Sequence, residues 1–220
     1  MSRAAILGLY VGRAQPLPED GRSSGIIKHR IDGPVAVTEL GLMGDQQADL
    51  RVHGGPEKAL HQFSRSSYDR LAAVFAEQSG QLVPGSIGEN ISTEYFDESS
   101  VCIGDVFALG SARVQVSQPR SPCWKIDARY GQEGICAAVA KHGIAGWYYR
   151  VLDGGRVQVG DALALLERNP KPLSLADFHR LARTHRPSPA DLFEVADTPG
   201  LNPQWGERIR ARARWLQDQA

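Results

Sequence analysis

The stretch Ser117-Gln118-Pro119-Arg120-Ser121-Pro122-Cys123-Trp124-Lys125 concentrates residue types that could do chemistry. Two prolines three residues apart remove backbone donors and fix φ. They also push Gln118 and Ser121 away from helical geometry, so the segment reads as an extended, stiff loop presenting one thiol. Arg120 and Lys125 place positive charge near Cys123, which favours sulfur as an anion, the form that attacks electrophiles or binds metal. Free cysteines also serve as small buried hydrophobes, and the loop alone leaves both readings open.

Three other clusters are polar and glycine-rich where a packed core would be apolar. In Gly44–Pro56, the run Arg51-Val52-His53-Gly54-Gly55-Pro56 allows a turn whose amides face an anion. His53 there is a candidate proton donor or anion contact, although a lone histidine is commonly structural. Pro84-Gly85-Ser86-Ile87-Gly88-Glu89-Asn90 brings Asn90 to a ligand or is merely a loop entering a strand. Trp147-Tyr148-Tyr149-Arg150 is an aromatic strand that walls a planar heterocycle or simply packs in the core, its arginine amphipathic.

The elements that must position these clusters are mostly short strands bounded by glycine, proline and Asp/Asn turns. The patterning predicts strands over Ala4–Val11, Ser24–Ile31, Pro34–Leu40, Val101–Leu109, Ala112–Ser117, Trp147–Leu152 and Arg156–Leu166. Such spacing suits a barrel or sandwich more than a parallel α/β sheet. Residues 101–109 and 157–165 echo each other around Gly104-Asp105 and Gly160-Asp161, whose aspartates read as turn formers, not metal ligands. Helices are expected over Ser66–Gln78 and Gly134–Lys141, with Cys136 in the core. After Asn169-Pro170-Lys171-Pro172 the strand signals stop. Helix starts follow at Ser174, Ser188-Pro189 and Asn202-Pro203. The chain thus divides into a β-rich domain over 1–168 and a three-helix module over 169–220. That module is too small for a large core of its own, so it packs on the main domain or on a second copy in a homodimer. Arg208, Arg210, Arg212 and Arg214 spread around the last helix and suit a solvated surface better than a nucleic-acid interface.

The 220 residues carry 25 Lys+Arg and 25 Asp+Glu, so no overall field draws the chain to nucleic acid or an anionic membrane, and any anion must be held by a local cluster. Three cysteines without a close pair (Cys102, Cys123, Cys136) argue against a disulfide framework and for a reducing, cytoplasmic setting. No C-x-x-C occurs, which disfavours a structural zinc site. Ala4–Gly12 reads as a first strand and not a secretory leader, and no apolar run approaches the ~18 residues of a membrane span.

Taken together, Val52-His53-Gly54-Gly55, Gly88-Glu89-Asn90 and Gln118-Pro119-Arg120-Ser121-Pro122-Cys123 resemble, in order and rough spacing, the MOSC domain found at the C-terminus of molybdenum-cofactor sulfurases. Cys123-Trp124-Lys125, Gly146-Trp147 and the helical tail look especially like the stand-alone bacterial YiiM group. The resemblance covers nearly the whole chain. One departure is Phe63-Ser64, where the family pattern has an aromatic followed by proline.

The resemblance implies a mainly β fold, a MOSC-type barrel followed by three helices, binding a pterin-based molybdenum cofactor (Mo-molybdopterin). Cys123 would ligate molybdenum through sulfur, in keeping with a soft thiolate on a thiol-seeking metal. Arg51, Gly54, Gly55, Arg120 and Lys125 would hold phosphate and pterin, and His53, Asn90 and Gln118 would orient pterin or substrate. The implied activity is reduction of N-hydroxylated small molecules such as 6-hydroxylaminopurine, with His53 delivering a proton and an external flavoprotein delivering electrons. Two alternatives remain at this stage: a non-catalytic carrier holding a persulfide on Cys123, and a metal-free hydrolase using Cys123 and His53.

Overall fold

In Arg3–Val11 the apolar residues alternate inward, as a half-buried strand requires, and this strand closes a barrel. The computed structural model describes residues 2–18, 21–50 and 52–219. Around the barrel the strand order is Ala162–Glu167, Val106–Leu109, Ala112–Pro119, Trp147–Asp153, Leu60–Ser64, Ile91–Thr93 and Arg3–Val11. The circle closes where Arg3 pairs with Ala164 and Ala5 with Ala162. All neighbours run antiparallel except Leu60–Ser64 beside Ile91–Thr93. Inside, Ile6, Leu9, Phe107, Val114, Val116, Trp147, Tyr149 and Leu163 form one apolar core. Each large side chain removed from water there stabilises the barrel by roughly 1.5–3 kcal/mol.

The mainly β architecture follows the sequence reading, while several strand limits do not. Ser24–Ile31 pairs only at Ser23–Ser24 and His29–Arg30, and Pro34–Leu40 shortens to Val35–Thr38. Val101–Leu109 is regular only from Val106, because Asp105 accepts the Cys102 N–H and makes a turn. Asp161 does the same for Gln158 N–H, which splits the expected Arg156–Leu166 strand into Gly155–Val157 and Ala162–Glu167. The internal echo is therefore a repeated turn with the aspartates as its fasteners.

Two barrel strands gave no sequence signal. Leu60–Ser64 and Ile91–Thr93 are buried throughout, so neither alternates. Gln62 is accommodated inside by donating to Thr93 and accepting from the Tyr149 hydroxyl. Helix α1 (Arg65–Val74) begins at Ser64, whose hydroxyl accepts from Ser67 N–H. The serine at the departure Phe63-Ser64 thus has a job as the helix cap. The rest of the expected Ser66–Gln78 helix is a 3-10 turn, Ala76–Gln78. Helix α2 (Lys125–Tyr130) was not anticipated, and helix α3 (Ile135–His142) falls where expected.

Helices α4 (Leu175–Arg183), α5 (Pro189–Ala196) and α6 (Pro203–Asp218) form the tail. Leu175, Phe178, Val195 and Leu201 join the barrel's own apolar cluster, with Trp205 and Ile209 packed against it. The tail therefore lies on the barrel of its own chain. Arg210 binds Asp197 and the Ala196 carbonyl, and Arg212 binds the carbonyls of Ala182 and Thr184, so these arginines fasten the module internally. Among the described residues no helix is long and apolar enough to cross a membrane.

Candidate functional site

Near its end the Ala112–Pro119 strand shifts register against its neighbour: Val116 faces Tyr149, and Gln118, two residues on, faces Tyr148. Such a bulge re-aims the chain at a barrel rim. Arg120 N–H then donates to the Gly146 carbonyl, and Ser121–Cys123 run without regular structure into α2. Gly146 has φ +74°, and a Cβ there would lie 2.1 Å from the Gln62 carbonyl oxygen, so only glycine lets these segments meet. Cys123 ends half-buried beside a cleft, with Ile126 N–H on its carbonyl. By contrast, Cys102 is buried with its sulfur accepting from Arg168, and Cys136 packs partly buried against a separate apolar cluster that includes Tyr68, Ile126, Ile135 and Val139. Burial raises both of those thiols above the usual range.

The cleft has a deep end and a mouth. The deep end, about 80 Å³, is lined by His53, Gly54, Asn90, Arg120, Cys123 and Lys125, together with Lys28, Asp45, Lys58, His61 and Tyr148. The mouth, about 550 Å³, shares His53, Lys58, Cys123, Lys125 and Tyr148 with it and adds Gln118, Trp124 and residues of α6. The two join into a space within the roughly 300–1,000 Å³ of small-molecule sites. Three sequence motifs separated by dozens of residues thus converge on one sulfur.

His53 sits on a turn in which its N–H and that of Val52 donate to the Asp49 carbonyl. Gly54 follows at φ +76°, where a Cβ would crowd Gln47 Oε1 at 2.7 Å, and Gly55 at φ +81° leads into the 3-10 helix Pro56–Lys58. Burial, then Lys125, Arg120 and Lys58, push the His53 imidazole down to about 4. It is neutral at neutral pH and has no proton to give as an imidazolium unless an anion offsets those cations.

Asn90 is only 4% exposed. Its Oδ1 accepts from His61 N–H, and its Nδ2 donates to the Tyr10 carbonyl and to Asp45. It lines the deep end and builds its wall, with both Nδ2 protons already placed and only Oδ1 able to accept from a ligand. Asp45 also accepts from Gly12 N–H and from Lys28, at 2.5 Å. Despite that pair, burial is the largest influence on Lys28 and lowers its ammonium below the usual range. The loop carrying Asn90 is anchored by Glu89, fully buried and accepting from Tyr68, Gly85 N–H and Ile87 N–H.

Arg120 is the outstanding feature of the deep end. At 7% exposure its Nη2 donates to the Ile87 carbonyl and its guanidinium lies beside the Tyr148 hydroxyl, while its Nη1 has no well-directed hydrogen-bond partner among the described residues. A buried guanidinium donor without an acceptor costs free energy unless a ligand supplies one. Lys125 carries no ion pair among the described residues, and Lys58 donates to the Val52 carbonyl. This end suits an anion.

Of the other expected contacts, Gln118 lines only the mouth, where its Oε1 accepts from Asn202 of the tail. Gly55 shapes the turn without lining the cleft. Arg51 lies outside the described residues. In Trp147-Tyr148-Tyr149-Arg150 the strand alternation sends Trp147 and Tyr149 into the core and leaves Tyr148 on the cleft, its ring 5.3 Å from His61. Lys28, Lys58 and His61 escaped the sequence reading, and Asp45 was inside the Gly44–Pro56 cluster without being singled out. Nothing local distinguishes them, and each reaches the cleft through barrel closure.

A molybdenum-pterin group can be judged against these residues. Among the described residues no three His, Cys, Asp or Glu side chains gather as a metal cage. The chain offers Cys123 as one sulfur ligand, and a metal there needs further ligands of its own, which a dithiolene cofactor brings. The unpaired Arg120 donor and nearby lysines suit its phosphate and anionic sulfurs, so the residues present fit the group.

Similarity to known proteins agrees with this geometry. The MOSC domain family matches residues 49–164. Protein YiiM of Escherichia coli (strain K12) is 37% identical over 205 residues, covering 93% of this chain and 90% of that protein. The crystal structure of YiiM from Escherichia coli superposes with a TM-score of 0.80 at 30% identity, covering 97% of this chain and 93% of the other. A protein named Reductase from Gibberella moniliformis (strain M3125 / FGSC 7600) is 34% identical over 178 residues, 80% of this chain but 32% of that longer protein. With its barrel, its cysteine cleft and these relatives in agreement, the chain belongs to the MOSC domain family.

Proposed function

We propose that this protein is a molybdenum-cofactor-dependent reductase of N-hydroxylated small molecules. The observation that carries the reading is the buried Arg120 Nη1, which has no hydrogen-bond partner among the described residues and shares its cleft with Cys123, a donor awaiting an anion beside a sulfur awaiting a soft metal. A relative bearing the name Reductase supports the reaction class. When bound, the cofactor supplies a two-electron couple able to take oxygen from an N–O bond.

The chain's own residues hold and shape the site. Cys123 gives the metal one sulfur. Arg120, Lys125 and Lys58 bind the cofactor's anionic groups, while Lys28, Asp45 and Asn90 keep the deep wall rigid. His53 relays a proton through its neutral ring, accepting at one nitrogen and donating from the other. Overall, R–NHOH plus two electrons and two protons gives R–NH2 and water: the N–O bond breaks and its oxygen leaves as water. A flavoprotein reductase is the electron donor, and three free thiols suit the reducing cytoplasm.

The test is protein made in a host that synthesises the cofactor, assayed for molybdenum and for reduction of 6-hydroxylaminopurine with an artificial electron donor. We expect both in the wild type and neither in Cys123→Ala. Cyanide-labile sulfur on Cys123 without N-reduction would instead identify a persulfide carrier, and thiol-dependent hydrolysis without metal would identify a cysteine hydrolase.

A further inference from the structure

The mouth of the cleft is built from two parts of the chain, and its chemistry differs from that of the deep end. The barrel contributes Cys123, Trp124, Lys125, Lys58 and Tyr148, and the tail contributes Asn202, Trp205 and Arg208. Asn202 locks the parts together: its N–H donates to the Ser117 carbonyl and its Nδ2 to Gln118, both on the strand that feeds the cysteine loop. Its Oδ1 caps α6 by accepting from Gln204 N–H, which fixes the first turns of that helix over the cleft.

In a chain of zero formal charge, the described residues lining the mouth include Arg22, Lys58, Lys125 and Arg208, with Asp49 as the one carboxylate among them. Arg208 is exposed, lines the mouth but not the deep end, and carries no ion pair among the described residues. Its charge is felt at Lys58, whose ammonium is lowered first by burial and then by Arg208. Flat aromatic surface accompanies the charge: Trp124 is 40% exposed with Arg22 stacked at 3.7 Å, and Trp205 is packed edge-on against Phe178 at 5.3 Å. Lys28, Asp45, Asn90 and Arg120 at the deep end are buried, so a molecule coming from solvent enters through the mouth, where the first turns of α6 and Cys123 line the same space.

We propose that this mouth is the substrate subsite and that it takes an N-hydroxylated heterocyclic base as its nucleoside monophosphate, with Trp124 and Trp205 receiving the ring and Arg208 the phosphate. The proposal rests on the reductase reading for its N–O chemistry, in which R–NHOH, two electrons and two protons still give R–NH2 and water. A flat ring gains from aromatic faces, whereas a cluster of cations rewards only a substrate that brings negative charge.

The test uses molybdenum-loaded full-length protein and three unhydroxylated probes: adenine, adenosine and adenosine 5′-monophosphate, with binding followed by calorimetry. The monophosphate is expected to bind about tenfold or more tightly than adenosine, an advantage that shrinks as salt rises. Arg208→Gln should remove most of that advantage while leaving molybdenum content and melting temperature unchanged, and Trp205→Leu should weaken all three probes. Equal affinity for all three probes would overturn the proposal. So would loss of molybdenum or pterin from the Arg208→Gln protein, because the arginine would then serve the cofactor. If the monophosphate preference holds but no hydroxylated analogue is reduced, the subsite stands and the reductase reading falls. If free hydroxylaminopurine is reduced without any preference for its monophosphate, the reductase stands and this inference falls.

Discussion

Cys123 differs from the chain's other thiols in its surroundings, since it alone of the three lines the cleft. Neither Cys102→Ala nor Cys136→Ala is expected to reduce molybdenum content by more than its effect on folding yield. His53 and His61 supply a prediction of a different kind. His53 is pushed down to about 4 and His61 well below its usual value, both chiefly by burial. As pH falls below the unfolded value of about 6.5, the unfolded chain takes up protons that the folded chain refuses. The stability these neutral rings contribute is therefore present above about pH 6.5 and is lost as pH falls toward 4, with a slope of up to roughly 1.4 kcal/mol per pH unit for each ring. Melting temperatures measured across that window should fall with acidity, and His53→Gln should flatten part of the slope. A slope unchanged by the substitution would mean that His53 is not held neutral by the fold.

At the scale of elements, the site depends on loops that are themselves well bonded. Asn90→Ala would strand His61 N–H in the interior and free one side of Asp45. The expected cost is about 1–3 kcal/mol in chemical denaturation, with weaker cofactor retention as a second readout. Ser64→Ala removes the α1 cap and should cost about 1 kcal/mol while leaving the cleft intact, so the two variants separate stability from function. These elements also mark the limits of sequence reading. The proline-flanked loop, the His-Gly-Gly turn and the tail's helix starts were legible because proline, glycine and capping residues act locally. Leu60–Ser64 and Ile91–Thr93 were not, because burial on both faces erases alternation. Asn90 was legible as a residue of the cleft, whereas its part in holding the wall was not, because that part is set by partners from Tyr10 to His61.

For the whole molecule, barrel, turn and tail are joined at Arg150. Its guanidinium binds both oxygens of Glu57, which follows the His-Gly-Gly turn, and also Gln115 on the barrel and the Gly200 carbonyl just before α6. Arg150 is mostly shielded and Glu57 about one-third exposed, so losing the arginine leaves a partly buried Glu57 unpaired and the tail less firmly seated. Arg150→Ala is expected to cost about 2–3 kcal/mol and to loosen the mouth, seen as faster amide exchange in the first turn of α6. Unchanged exchange there would show that the tail is held by its apolar face alone. Lys28, Lys58 and His61 reach the site only through this global closure, and for that reason no local pattern announced them.

The central claim is that Cys123 binds molybdenum through sulfur in a cleft whose cations hold the rest of the cofactor. Molybdenum-edge X-ray absorption on wild-type protein and Cys123→Ser, both from a cofactor-synthesising host, tests it most directly. The variant is expected either to lose the metal or to show one fewer sulfur neighbour. An identical sulfur shell at full occupancy in both proteins would contradict it.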